Sequence, residues 1–78
     1  METAASALTV FGARIREERR KLGITQETLA SRAGLHWTFV GQVERGVRNL
    51  SLRNLLKLAA ALEVDPAQLV KGLTPPSG

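Results

Sequence analysis

The chain has 78 residues, 44% of them hydrophobic and none of them cysteine, which allows one small core and excludes disulfides and thiolate metal sites. Lysine and arginine number 11 against 7 acidic residues, a formal charge of +4 that suits a polyanionic partner. No apolar run reaches the length of a membrane span, and Glu2 with the uncharged residues after it lacks the basic start of a secretory signal, so no membrane contact and a cytoplasmic location are expected.

Residues 1–7 are small or polar without periodicity and are expected to form a flexible N-terminus. A helical pattern starts at Leu8, with Thr9 as its cap. Phe11, Ile15, Arg19 and Leu22 share one face, and Gly23 supplies the stop. An arginine on that face needs a partner, or an edge position from which it snorkels to water. Thr25 caps a second helix that opens on Gln26 and Glu27, carries Leu29, Ala30 and Ala33 on one side, and closes at Gly34.

The third helix runs from about Trp37 to Arg45, with His36 as a weak cap and Gly46 as the stop. Val40, Val43 and Glu44 are its inward positions. Glu44 is the only acidic residue there, which makes it the partner for Arg19 in a largely buried, bidentate ion pair. The second and third helices are each about two turns long and too short to be stable alone. Joined at Gly34, they read as a helix-turn-helix, whose second helix ordinarily enters the DNA major groove.

Ser51 caps a fourth helix, Leu52 to Leu62, with an expected core face of Leu52, Leu55, Leu56, Ala59 and Leu62. Asp65-Pro66-Ala67-Gln68 then combines a cap, a proline at the first helical position and a glutamine returning to the cap amide. A last short helix carries Leu69 and Val70 and ends at Gly72, and residues 74–78 form a tail. The expected fold is all-α: five helices in one domain over residues 8–73.

The outward positions of the third helix are Trp37, Thr38, Gly41 and Gln42. Gln42 can offer a donor and an acceptor to an adenine edge, and Thr38 a hydrogen bond or its methyl to thymine. Trp37 either touches DNA or shields the edge of the core. Gly41 either allows close approach to the groove or is simply tolerated. Phe39 leans on the fourth helix or on a partner, and His36 meets a backbone phosphate or is a neutral surface histidine. Arg45, Arg48 and Asn49, just beyond the helix, suit phosphate oxygens. The basic run Arg14, Arg16, Arg19, Arg20 and Lys21, broken by Glu17 and Glu18, reads as a solvated face with local pairing. One histidine without cysteines or clustered carboxylates offers no metal site, and no nucleophile–base pair or phosphate loop is present. No enzyme activity, cofactor or small-molecule ligand is expected.

Three segments taken together, Phe11-Gly12-x-Arg14-Ile15-Arg16-x-x-Arg19, Gly23-Ile24-Thr25-Gln26-Glu27-x-Leu29-Ala30 and Val43-Glu44-Arg45-Gly46-x-Arg48-Asn49-x-Ser51-Leu52, resemble the Cro/C1-type (Xre) helix-turn-helix family over roughly residues 11 to 73. The last segment is most similar to the controller proteins of restriction–modification systems. The resemblance implies a transcriptional regulator that binds a two-fold symmetric operator in double-stranded DNA as a homodimer; an antitoxin or a phage-type repressor of the same fold is the alternative, and an interaction module without DNA binding a further one. It implies that Gln26 contacts phosphate, that Trp37, Thr38 and Gln42 read bases, that Arg48 and Asn49 lie near the backbone, and that Arg19 pairs with Glu44. Two positions depart from the controller pattern, which commonly has arginine at Trp37 and serine at Gly41. For the dimer surface, Leu62, Val64, Leu69, Val70 and Leu73 are the candidates, with one of Leu69 and Val70 expected in the core and the other at the interface.

Overall fold

The computed structural model describes residues 6–75, which form five α-helices and no strand among them. They are α1 (Ala7–Leu22), α2 (Gln26–Ala33), α3 (Trp37–Glu44), α4 (Leu52–Leu62) and α5 (Pro66–Val70). The expected flexible N-terminus lies outside the described residues over 1–5, as does the tail over 76–78.

Helix α1 begins earlier than the sequence reading placed it. Ser6, not Thr9, is the N-cap: its Oγ accepts from the Thr9 amide at 3.2 Å, reaching the third helical residue in the usual capping geometry. Leu22, expected on the core face, is 38% exposed at the helix end. The chain turns there through Gly23, and Ile24 beyond the cap packs against the core.

Phe11 and Ile15 of α1, Leu29, Ala30 and Ala33 of α2, Val40 and Val43 of α3, Leu58, Ala59 and Leu62 of α4 and Leu69 of α5 form one core. Helix α1 lies against α3 so closely that Gly12 is obligatory. A Cβ on Gly12 would sit 2.2 Å from the Val43 carbonyl oxygen and 2.8 Å from that of Glu44. The α2–α3 turn closes through Gly34 at φ 69°, with the Leu35 amide donating to Ala30 O and the Gly34 amide to Ser31 O. This reciprocal pair satisfies the last carbonyls of α2 and sets the direction of α3.

The core face of α4 is Leu55, Leu58, Ala59 and Leu62, rather than the expected stripe through Leu52 and Leu56. Leu52 is 72% exposed and Leu56 46%. Leucine or alanine fills so much of this helix that two helical stripes fit the sequence equally, and packing on α2 and α1 selects the one containing Leu58. Helix α5 closes the base of the core with Leu69, and Arg14 of α1 donates Nη1 to the Leu69 carbonyl at 3.2 Å. That bond satisfies a carbonyl at the end of a short helix and ties α5 to α1.

Two residues expected at a dimer surface therefore belong to the protomer's own interior. Leu62 and Leu69 are buried, Val64 and Leu73 are half-buried against the core, and Val70 is exposed. The division expected between Leu69 and Val70 has Leu69 inside, because the five-residue α5 sets one side toward α1 and α4.

Candidate nucleic-acid interface

Glu44 anchors the interface from below. Its carboxylate is buried, with Oε2 accepting from Arg19 Nε at 2.6 Å and Oε1 from Arg19 Nη2 at 3.0 Å. Arg19 spends its remaining reach on the Ile24 carbonyl, 2.9 Å from Nη1. Gln26, the first residue of α2, donates Nε2 to Glu44 Oε1 at 3.0 Å, and Arg16 Nε stands 3.5 Å from the same oxygen. One carboxylate on α3 thus receives hydrogen bonds from α1 and from the start of α2.

Burial alone would push the Glu44 carboxyl up; the hydrogen bonds of Arg19 and Gln26 and the charges of Arg19 and Arg16 outweigh it and hold the group below the ordinary glutamate value. The hydrogen bond to Glu44 likewise raises Arg19 above its usual range, against the opposing effect of burial.

Trp37 and Thr38 stand exposed on the first turn of α3, and Gln42 is half-buried one turn on. Trp37 borders a groove with Arg19, Thr25, Gln26 and Glu27, so it faces the N-terminus of α2 rather than the core. Gly41, expected on the outward side, is covered by polar side chains rather than open. It is buried, and a Cβ there would lie 3.5 Å from Gln26 Oε1 and 3.6 Å from Arg45 Nη1, because those two side chains fold across it.

Arg45, Arg48 and Asn49 are exposed beyond α3. The Arg48 guanidinium lies over the Phe39 ring, 5.3 Å from its centre, and Nη1 donates to Gln42 Oε1 at 3.4 Å. Asn49 Oδ1 accepts from the Leu50 amide at 2.9 Å. Phe39 is half-buried against the core edge. His36 caps α3: Nδ1 accepts from the Thr38 amide at 3.1 Å and also bonds Thr38 Oγ1.

Three further residues contribute that the sequence pattern does not single out. Gly12 permits the close approach of α1 and α3, Arg14 ties α5, and Arg16 adds charge beside Glu44. Both arginines belong to the run read as a solvated face, where Lys21 and Glu18 do make the local pair, at 3.2 Å. The periodicity of α1 places Arg16 one position beyond Ile15, toward α3, but nothing in its spacing marks it against Arg20.

Among the described residues no helix is long and apolar enough to cross a membrane, and no group of three metal-ligating side chains occurs. A helix-turn-helix family model matches residues 15–69. Control protein C.BamHI of Bacillus amyloliquefaciens is 42% identical over 62 residues, covering 78% of this chain and 76% of that protein. The chain belongs to the Cro/C1-type helix-turn-helix family of transcriptional regulators.

Solved structures of that family superpose on the fold. The restriction–modification controller protein C.AhdI of Aeromonas hydrophila matches with a TM-score of 0.78 and 55% identity, over 80% of this chain and 94% of that one. The c2 repressor of Salmonella phage P22, solved with a synthetic operator, matches with a TM-score of 0.76 and 38% identity, over 81% and 96%. The similarity to two Cro/C1-type branches, controllers and a phage repressor, extends over 80% and 81% of the chain rather than over the helix-turn-helix alone.

Proposed function

We propose that this protein is a sequence-specific regulator that binds a two-fold symmetric operator as a homodimer, in the role of a restriction–modification controller. The observation that carries the reading is the mounting of α3. Its inner side is fixed by Val40, Val43 and the Glu44 carboxylate, and its outer side presents the exposed Trp37 and Thr38 with the half-buried Gln42 one turn on. A rigid helix with adjustable polar tips is what base-edge recognition in the major groove requires. Arg45, Arg48 and Asn49 beyond its end supply charge and donors for phosphate oxygens, which set register without reading sequence. His36 and Gln26 stand at the starts of α3 and α2, and Gln26 is held to Glu44 through Nε2.

The controller role is supported by the similarity to C.BamHI and C.AhdI. A phage-type repressor is the second reading, supported by the similarity to the P22 c2 repressor, and an antitoxin shares the same biochemistry. Neighbouring genes separate these: a methyltransferase and an endonuclease for a controller, lysogeny functions or a toxin for the others. A cytoplasmic location follows from the role. Selection from a random duplex library tests DNA reading itself. The expected outcome is one enriched, two-fold symmetric site preferred over random duplex by several orders of magnitude; binding without preference would reduce the activity to charge attraction.

The homodimer is inferred from the apolar side chains that the protomer leaves uncovered. Leu52 and Leu56 stand a turn apart on one side of α4, and Val70 is exposed on α5. A second copy covering this ridge would hold two α3 helices for two half-sites on one face of DNA.

A further inference from the structure

We infer that Arg45, besides the charge it brings to the DNA backbone, is a further specificity-determining residue: it reads a guanine, reaching the base edge by folding back over Gly41. The inference rests on the DNA-reading role proposed above.

Arg45 follows α3 but continues its helical geometry. Its φ and ψ are −82° and −5°, and its amide donates to the Gly41 carbonyl at 3.1 Å, the bond that an α-helix makes to the residue four positions earlier. Side chains on one helical face recur at intervals of three, four and seven residues. Arg45 stands seven residues after Thr38 and three after Gln42, so it extends the outward stripe on which those two lie. Val40 and Val43, on the opposite side, are buried, whereas Arg45 is exposed. Arg48 and Asn49 are placed differently, since they come after the left-handed turn at Gly46, φ 75°.

A helical side chain leans toward the N-terminus, over the turn that precedes its own Cα. For Arg45 that turn holds Gly41. A Cβ built on Gly41 would have Arg45 Nη1 at 3.6 Å, so the guanidinium lies over a position that has no side chain of its own. The charged group is thereby drawn back by about one turn, roughly 5 Å along the axis, to the level of Gly41 and Gln42. That shift carries it from the end of the helix toward the N-terminal part, which is the part of a recognition helix that meets base edges.

Neighbouring arginines are already engaged. Arg19 holds Glu44 and the Ile24 carbonyl, and Arg48 lies over the Phe39 ring with Nη1 on Gln42. Among the described residues Arg45 makes no ion pair. A guanidinium has donors and no acceptor, and its planar fork takes two acceptors at once. Guanine presents two in the major groove, O6 and N7, whereas adenine and cytosine each present an amino donor there. Guanine is therefore the base that suits Arg45.

The test uses the full chain. Wild type and Arg45→Ala are each selected on a random duplex library, with circular-dichroism melts establishing that the variant is folded. Each half-site of the wild type should carry a guanine favoured by roughly tenfold or more, as one good bidentate pair provides. In Arg45→Ala that preference should fall to about twofold or less, while the preferences at other positions are kept. A second arm replaces this guanine with 7-deazaguanine, which lacks the N7 acceptor and leaves the phosphates untouched. The replacement should weaken wild-type binding severalfold and leave Arg45→Ala nearly indifferent. An arginine that met only phosphate would instead weaken binding to every sequence when removed, with the consensus unchanged. That result overturns the inference, as does a wild-type site without a guanine preference or a 7-deazaguanine penalty equal in the two proteins. Each of these leaves the DNA-reading role standing, because a site has been enriched; no enriched site for the wild type overturns both.

Discussion

Arg19 of α1 grips both oxygens of the Glu44 carboxylate on α3, Nε at 2.6 Å and Nη2 at 3.0 Å, with the carboxylate closed off from water. The pair joins the helix that frames the domain to the helix that would enter DNA. Removing one partner leaves the other buried and uncompensated. Glu44→Gln or Arg19→Met should therefore destabilise the domain by ~3 kcal/mol, while exchanging both for packed apolar residues should cost much less. Urea denaturation of the two single variants and the double variant measures this. Wild-type stability in Glu44→Gln would show that the pair contributes nothing net.

The same pair gives the domain an acid limit. The folded-state pKa of Glu44 lies below the ordinary value of 4.5, so its contribution is fully present above about pH 4.5 and is lost as pH falls through the folded value. Glu44→Gln has no such group. The stability difference between wild type and Glu44→Gln should hold constant from neutrality down to about pH 4.5 and shrink below it. Taking the difference removes the other carboxylates from the comparison. A gap that stayed constant down to the acid transition would mean that Glu44 is not held below its ordinary value.

Gly12 is set by proximity to backbone. A methyl group there would meet the Val43 carbonyl oxygen at 2.2 Å and that of Glu44 at 2.8 Å, and these are backbone atoms at the end of α3, where Val43 O also accepts from the Gly46 amide, rather than the tip of a flexible side chain. Gly12→Ala should cost about 3 kcal/mol or more, the upper range for overpacking. Gly23→Ala is the control, since its site has open space and a left-handed φ of 70°, for a cost of about 1 kcal/mol. Thermal melts should rank Gly12→Ala well below Gly23→Ala; equal melting temperatures would mean that α1 can back away from α3.

Most of the fold was legible because its signals are local. Thr25, Ser51 and Asp65 cap where the sequence puts them, Gly23 and Gly34 close α1 and α2, and the Arg19–Glu44 pair follows from two charges on two apolar faces. What escaped depends on packing between elements. The rotation of α4 is ambiguous in a helix so rich in leucine and alanine: an inward stripe through Leu52 and Leu56 fits the sequence, and packing selects the one through Leu58. The cover of Gly41 by Gln26 and Arg45 required the distance between α2 and α3, which no periodicity encodes. Glu63 ends α4 at φ 62°, a left-handed position that glycine or asparagine would have announced and glutamate does not.

Gln42 and Arg48 should behave differently on DNA, although the structure links them. Gln42→Ala should relax preference at one base pair by ~1–3 kcal/mol. Arg48→Ala should weaken binding to all sequences and lower the salt slope by about one unit. Because Arg48 Nη1 also holds Gln42 Oε1 at 3.4 Å, Arg48→Ala should additionally soften the preference that Gln42 sets, by less than Gln42→Ala does. Salt titrations and library selection on both variants separate the effects. An unchanged consensus from Gln42→Ala would remove it from the readers.

The dimer is the prediction with the most structure to lose. One α3 places few side chains on base edges, too few to define a unique site, whereas two copies ~34 Å apart read two half-sites. The surface first expected for that contact has lost Leu62 and Leu69 to the protomer's core. In their place stand Leu52 at 72% and Leu56 at 46% exposure, on a helix whose other side is fully engaged, with Val70 at 40% on α5. An isologous contact needs one apolar ridge that can face its own copy, and Leu52 and Leu56 supply adjacent turns of one. Sedimentation equilibrium without DNA, at tens of micromolar, should return twice the mass of one chain. Leu52→Glu with Leu56→Glu should return a monomer with a near-wild-type far-ultraviolet spectrum, because both side chains already face solvent in the protomer. A wild-type monomer together with an operator lacking two-fold symmetry would overturn the dimer. A dimer that survives the double substitution would instead move the interface away from α4.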